Sequence, residues 1–434
     1  MLPPFGTNRG VIEVKNPIVL ATGRLLALLL IATMLISACG ETATTPTASP
    51  EPGANTIPTP PPADQLAANL TEGCVENYDP TVDYFPEKIS VDYAEGWTIN
   101  YFNHYKVVTV VNPWRDAETT FEYVLVQCGT PAPEGFADAQ VIEVPINSIA
   151  TMSTTHLPHL ADLELTDALV AIDNFEFVNT SEVITLIEAG KLVEIGSGAA
   201  VNVERVIDLE PDVVMTYGVG NPQNDAHPIL LEAGLKVVLN SEYMEPSPLG
   251  RAEWLKFTAT LFNAETAAQT VFADMVAQYD ELVALAQRAE QRPTVFANTP
   301  FQGTWFMPGG RSYPARLLTD AGAMYLWADD DTVNSQQLSF EVVFDQAVDA
   351  DFWINTGIWS SRDDALAEDE RFAEFAAFQS GRMYNNNARV NEHGGNDFWE
   401  SGVTNPHLVL ADLIAIFHPD LLPEHELYFY QQLP

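Results

Sequence analysis

The sequence is poor in basic residues: 19 lysines and arginines stand against 60 aspartates and glutamates, a net charge of -41. Such a surface repels nucleic acid and anionic lipid headgroups and keeps a protein soluble. Catalytic signatures are missing as well. The chain carries no Gly-x-Ser-x-Gly elbow, no Walker-type phosphate loop and no zincin motif. Its carboxylates are too abundant for any pair to stand out as acid and base. These gaps argue against a nucleic-acid binder and against an enzyme. Cysteine is scarce too, with three in 434 residues.

What is present is enough apolar material, 47% of the chain, to fill two or three cores. Residues 1–39 read as a signal peptide: Arg24, then the apolar run Leu25 to Ile36, then Ile36-Ser37-Ala38-Cys39. That last stretch is similar to a bacterial lipobox, with Cys39 as the lipidated residue; an uncleaved membrane anchor is the alternative. Residues 40–73 are rich in Thr, Pro, Ala and Ser and read as a disordered tether. In an exported protein the remaining two cysteines, Cys74 and Cys128, can pair, closing a loop worth roughly 4 kcal/mol, or stay as buried thiols.

Residues 74–140 alternate apolar and polar side chains over Ile89 to Tyr93, Trp97 to Phe102, Lys106 to Val111 and Phe121 to Gln127, predicting an antiparallel β extension. From residue 141 the rhythm changes to strand, helix and capping glycine, the signature of parallel α/β units. It runs to residue 262, stops, and resumes from 294 to 434. Between the two lobes, Phe272, Met275, Val276, Tyr279, Leu282, Val283 and Ala286 recur every three or four residues. One helix is expected over residues 263–293, capped by Asn263 and stopped by Pro293, roughly 40 Å long. The predicted fold is thus α/β, two Rossmann-like lobes joined by one long helix behind an antiparallel β extension. A stiff connector of this kind predicts a largely preformed cleft that suits a bulky ligand.

Three runs in the first lobe carry a resemblance: Ile195-Gly196-Ser197-Gly198, Asn202-Val203-Glu204-Arg205 and Leu209-Glu210-Pro211-Asp212-Val213-Val214. Pro248-Leu249-Gly250-Arg251-Ala252-Glu253-Trp254, Pro308-Gly309-Gly310-Arg311-Ser312-Tyr313 and Leu338-Ser339-Phe340-Glu341 before Ala350-Asp351 extend it. In this order and spacing they resemble the class III substrate-binding proteins of ABC transporters, the iron-siderophore, haem and cobalamin binders. The resemblance implies an extracytoplasmic, lipid-anchored, monomeric binding protein that is not an enzyme and has no intrinsic cofactor. It would hand a metal chelate, with iron-siderophore the first choice and cobalamin, haem or another organic ligand the alternatives, to an ABC permease in the membrane. A sensor or adhesion module that kept the fold and lost transport is the rival. Glutamates at the places of Glu204 and Glu341 dock on permease arginines in that family, and both sit where a first-turn carboxylate also stabilises a helix.

Ligands of open α/β sheets sit beyond the carboxyl ends of strands. The candidate contacts on those loops are Thr155, His156, Ser197, Tyr217 and Tyr243 in the first lobe. In the second they are Trp305, Arg311, Ser312, Tyr313, Trp327, Trp359 and Arg389, with Thr154, Gly218, Met244, Gln302, Thr356 and Asn386 beside them. Aromatic walls with arginines suit a planar, negatively charged chelate; lobe packing and arginine–carboxylate pairing are the plain alternative. His156, His159, His227 and His393 lack carboxylates at ligand spacing, so no side-chain metal site is predicted.

Overall fold

The computed structural model describes residues 66–434. The signal segment, Cys39 and most of the tether lie outside them. Strands β1 (Trp97–Tyr101), β2 (Tyr105–Val110) and β3 (Phe121–Gln127) form an antiparallel meander, and β4 (Gln140–Val144) adds parallel to β3. Cys74 and Cys128 are joined by a disulfide with Cα atoms 4.9 Å apart. Residues 89–93, expected as a strand, are not one. The amides of Asp92, Tyr93 and Ala94 all donate to the carboxylate of Glu253, so no ladder partner is needed.

The first lobe is a five-stranded parallel sheet. Along the chain run β5 (Ile149–Thr151), α1 (Leu157–Asp162), β6 (Leu169–Ile172), α2 (Ser181–Glu188), β7 (Val193–Glu194), α3 (Val203–Leu209), β8 (Val213–Thr216), α4 (His227–Glu232) and β9 (Val237–Leu239). The spatial order is β7-β6-β5-β8-β9, so the chain reverses direction between β5 and β8. The extension continues this lobe: the Gln140 side chain pairs with both backbone groups of Val237, and the Tyr123 hydroxyl accepts from the Leu239 amide.

Two helices follow the first lobe's sheet. α5 (Pro248–Leu261) is capped by Ser247, whose side chain accepts from the Gly250 amide, and every one of its residues is buried, Arg251, Glu253 and Lys256 included. α6 (Glu265–Ala286) is the expected long helix, 22 residues and about 33 Å. Its predicted face is the one it buries, with Phe272, Met275, Tyr279 and Ala286 in the interior. Asn263 is not its cap. It has φ +56° and spends its amide on Lys106 and Gln127, leaving Ala264 at the N-cap position with no side-chain bond. α5 packs along α6 and gives Trp254, Phe257 and Leu261 to the first lobe's core, and α6 is the single unbroken helix that follows it toward the second lobe.

The second lobe comprises β10 (Thr294–Ala297), a small hairpin of β11 (Pro300–Phe301) and β12 (Thr304–Met307), α7 (Tyr313–Asp320), β13 (Met324–Tyr325), β14 (Gln336–Leu338) and α8 (Phe340–Ala347). It continues through β15 (Phe352–Ile354), α9 (Arg362–Glu368), α10 (Ala376–Gln379), β16 (Met383–Asn385), α11 (Pro406–Phe417) and β17 (Gln431–Gln432). Its main sheet has the order β13-β10-β15-β16-β17, parallel except for β17, while β14 pairs with the hairpin. Here the chain reverses between β10 and β15.

Candidate functional site

The carboxyl ends of both sheets open onto two neighbouring cavities. The smaller, about 310 Å³, lies at the reversal point of the first lobe: Ser153, Thr155 and His156 follow β5, Tyr217 and Val219 follow β8, and Asn240, Glu242 and Tyr243 follow β9. The larger, about 820 Å³, lies over the reversal point of the second lobe, where Asn298 follows β10, Asn355 follows β15, and Asn386 and Asn387 follow β16. Tyr243, Tyr313 and Trp399 line both cavities, so the two form one cleft.

Asparagine recurs in this wall for a local reason. Asn298 and Asn355 leave their strands with φ +64° and +59°, the left-handed region that asparagine tolerates better than most residues. The result is a wall of neutral amides. Several are committed: the Asn298 amide nitrogen donates to Phe306 O at 2.8 Å, and Asn355 Oδ1 accepts from the Tyr430 hydroxyl at 2.9 Å. The Nδ2 of Asn386 is buried and has no partner. Around the mouth stands an exposed apolar rim: Ile358 at 95%, Trp399 at 49%, Val390 at 44% and Tyr217 at 39%. A ligand with a hydrogen-bonding centre and an apolar periphery matches that arrangement.

Between the cavities lies a buried charge pair. Glu242 Oε2 accepts from Arg251 Nε at 2.7 Å and from Nη2 at 2.6 Å, and the guanidinium stacks 4.3 Å from the Tyr313 ring. Burial and these partners fix the Tyr313 ring where it lines both cavities. On one rim Glu400 takes the Thr180 and Asn179 amides at 2.7 and 2.8 Å, and Asn391 Nδ2 donates to Glu176 O, so the lobes are already in contact.

The structure brings Thr155, His156, Tyr217, Tyr243, Ser312 and Tyr313 to the cleft, with Met244 and Asn386 beside them. The remaining candidates are elsewhere. Trp305, Trp327 and Trp359 are buried in the second lobe's core, and the indoles of Trp305 and Trp359 are bonded to Ala297 O and Glu368. Arg389 is paired with Asp397 at 2.6 Å and lies over Tyr428. Arg311 is exposed and does not line the cleft, while Gly309 and Gly310 before it pack closely on the 327–334 loop. Ser197 is exposed and donates to Asp173. Liners outside the expected set include Trp399, the asparagines of the amide wall other than Asn386, and Arg115. The extension carries Arg115, and nothing in its sequence marks it apart from a positive charge in an acidic chain.

His156 and His159 are fully buried neutral imidazoles. Burial pushes both down to about 3, and for His156 the neighbouring His159 adds to it. A folded value below the unfolded one, about 6.5, means that their contribution to stability is complete above pH 6.5 and is lost as the pH falls toward 3. At pH 4.5 each should cost about 2–3 kcal/mol. Urea midpoints at pH 7 and 4.5 check this: H156Q/H159Q should depend on pH less steeply than the wild type.

The family model for periplasmic binding proteins matches residues 149–389, more than half of the chain, and the chain belongs to that family. Two uncharacterized lipoproteins of Methanocaldococcus jannaschii are similar to it. One is 24% identical over 67% of this chain and 70% of its own, and the other 27% identical over 72% and 80%. Among solved structures, a possible iron-binding periplasmic solute-binding protein of Staphylococcus epidermidis superposes with a TM-score of 0.51 at 16% identity, covering 63% of this chain and 99% of its own. CeuE of Helicobacter pylori with Ni(II) bound superposes at 0.51 and 16% identity, covering 68% and 92%. These likenesses concern the fold. Among the described residues no helix is long and apolar enough to cross a membrane.

Proposed function

We propose that this protein captures a bulky metal chelate, an iron-siderophore foremost, and delivers it to an ABC permease from a lipid-anchored position outside the cytoplasmic membrane. The observation that carries the reading is the cleft: about 820 Å³ with an adjoining 310 Å³, at the carboxyl ends of both sheets. Such a volume suits a ligand of several hundred daltons rather than a bare ion. Among the described residues no three of His, Cys, Asp or Glu are grouped to hold a metal, so a metal entering here would bring its own chelator. The two structural neighbours, one a possible iron binder and one bound to Ni(II), support the same class. The lipoprotein relatives support Cys39 as the anchor. The amide wall favours a second reading, a metal-free organic ligand bound by neutral hydrogen bonds.

Titration of ferric chelates against tryptophan fluorescence tests the cargo, because Trp399 stands at the mouth. A ferric chelate that binds with Kd at or below about 1 µM is expected; a protein that binds none of a hydroxamate, catecholate and carboxylate series would sink the reading. Glu204 and Glu341 are both exposed in first helical turns, and Glu341 lies 3.5 Å from Arg371. If they dock the permease, E204R/E341R abolishes uptake by cells and leaves binding in solution unchanged.

A further inference from the structure

Resting on the reading of the cleft as a ligand site, we propose that Arg115, delivered by the β extension, reads the ligand's charge, and that the ligand presents an anionic, acceptor-rich group to it. Two cations line the cleft among the described residues, Arg115 and Arg251. Arg251 is spent on Glu242 and Tyr313. Arg115 is not. In a chain with 60 acidic residues it is absent from the ion pairs formed among the described residues. Its one side-chain hydrogen bond there runs across the cleft, from Nη2 to Asn334 Oδ1 at 2.9 Å. A guanidinium has five donors in a planar fork matched to carboxylates, so most of its capacity is open.

The loop that carries Arg115 is held in place. Trp114 stacks on His227 with ring centroids 5.5 Å apart and meets the Phe121 ring edge-on at 5.9 Å. It lies so close to Gly218 and Gly220 that a Cβ at either would stand 2.8 or 2.6 Å from the indole. One residue before it, Pro113 O accepts from Ser241 Oγ at 2.9 Å. The extension is thereby locked to the ends of β8 and β9, and Arg115 is set at the cleft edge rather than left on a free loop.

The opposite wall asks for the same chemistry. Asn386 Nδ2 is a buried donor without a partner, and it is satisfied only by an acceptor. The one carboxylate lining the larger cavity, Glu245, already accepts from the Glu95 and Gly96 amides and from the Trp254 indole. No carboxylate of this wall is therefore left without donors of its own. The tris-anionic or carboxylate-bearing chelates fit this inventory, and a cationic one does not.

The test compares wild type, R115Q and R115K with two chelates, anionic ferric citrate and a neutral ferric tris-hydroxamate, by fluorescence titration at low and high salt. Citrate alone is followed by thermal shift. The expected result is that R115Q weakens ferric citrate about 10- to 100-fold and removes its salt dependence, that R115K falls between, and that any affinity for the neutral chelate is unchanged. An anionic affinity within about twofold of wild type in R115Q would overturn the inference, as would tighter binding of the neutral chelate than of the anionic one. If neither chelate binds, the chelate reading fails separately. The inference then stands if citrate stabilises the wild type and not R115Q, and falls if citrate stabilises both or neither.

Discussion

Lys106→Met should destabilise the protein by about 3–5 kcal/mol, the cost of leaving a buried carboxylate without its counter-charge. The amine is fully buried and donates to Glu265 Oε1 at 2.6 Å, Asn263 Oδ1 at 2.8 Å and Thr260 O at 2.6 Å, with the Phe85 ring 4.7 Å away. Glu265 Oε2 in turn accepts from Asn69. One cation on β2 thus ties the extension to the turn between α5 and α6. Burial pushes the amine's proton affinity down, and Glu265 pulls it back up. Urea denaturation is the measurement. A loss below about 1 kcal/mol would show that water or a rearranged partner replaces the amine. The double variant K106M/E265M removes both charges and should recover most of the loss. Limited proteolysis of K106M should cut the extension before the lobes, since this cluster is a buried charged one among its polar fasteners to α5 and α6.

Glu242→Ala should cost a similar amount, about 3–5 kcal/mol, because it strands the Arg251 guanidinium at 7% exposure. It should also weaken ligand binding, for a reason the first variant lacks. The cation held by Glu242 is the surface against which the Tyr313 ring rests, and that ring lines both cavities. The two consequences separate in R251M/E242A. Stability returns once no charge is stranded, while Tyr313 loses its cationic platform and binding stays weak. Recovery of both together would mean that the pair is merely structural.

The parts of the fold that are legible in sequence are those in which local chemistry and tertiary placement agree. α3 and α8 start where the sequence offers a start, because Asn202 and Ser339 cap them and glutamates occupy their first turns. α6 announces itself by a one-sided apolar pattern. α5 does not, because it is buried all round: Arg251 pairs with Glu242 just before the helix, Lys256 pairs with Glu253 within it, and Glu253 also accepts from the distant amides of 92–94, none of which an apolar periodicity encodes. Asn263 carries a cap's chemistry and is recruited by Lys106, 157 positions away in the chain.

In the cleft, strand-end loops are the right places, but residue type does not separate wall from core. Trp305 and Trp399 are alike as letters in a sequence; the first is sealed against Phe296 and Trp353, and the second stands at the mouth. Arg311 and Arg389 have the look of the ligand's cations because they fall on strand-end loops of a chain poor in basic residues. Whether a cation is free depends on which carboxylates fold against it. Arg389 is taken by Asp397, Arg311 lies outside the cleft, and Arg115, in a region with no motif at all, lines the cleft without an ion pair among the described residues.

The glycines at 218 and 220 are a negative image of Trp114. A relative that lacked the extension would have no indole to accommodate after β8 and could carry larger side chains there. Two glycines at that strand end, together with a tryptophan in an N-terminal sheet, therefore form a sequence marker. It would sort members of the family by their letters alone into those whose binding site is built from three parts and those built from two.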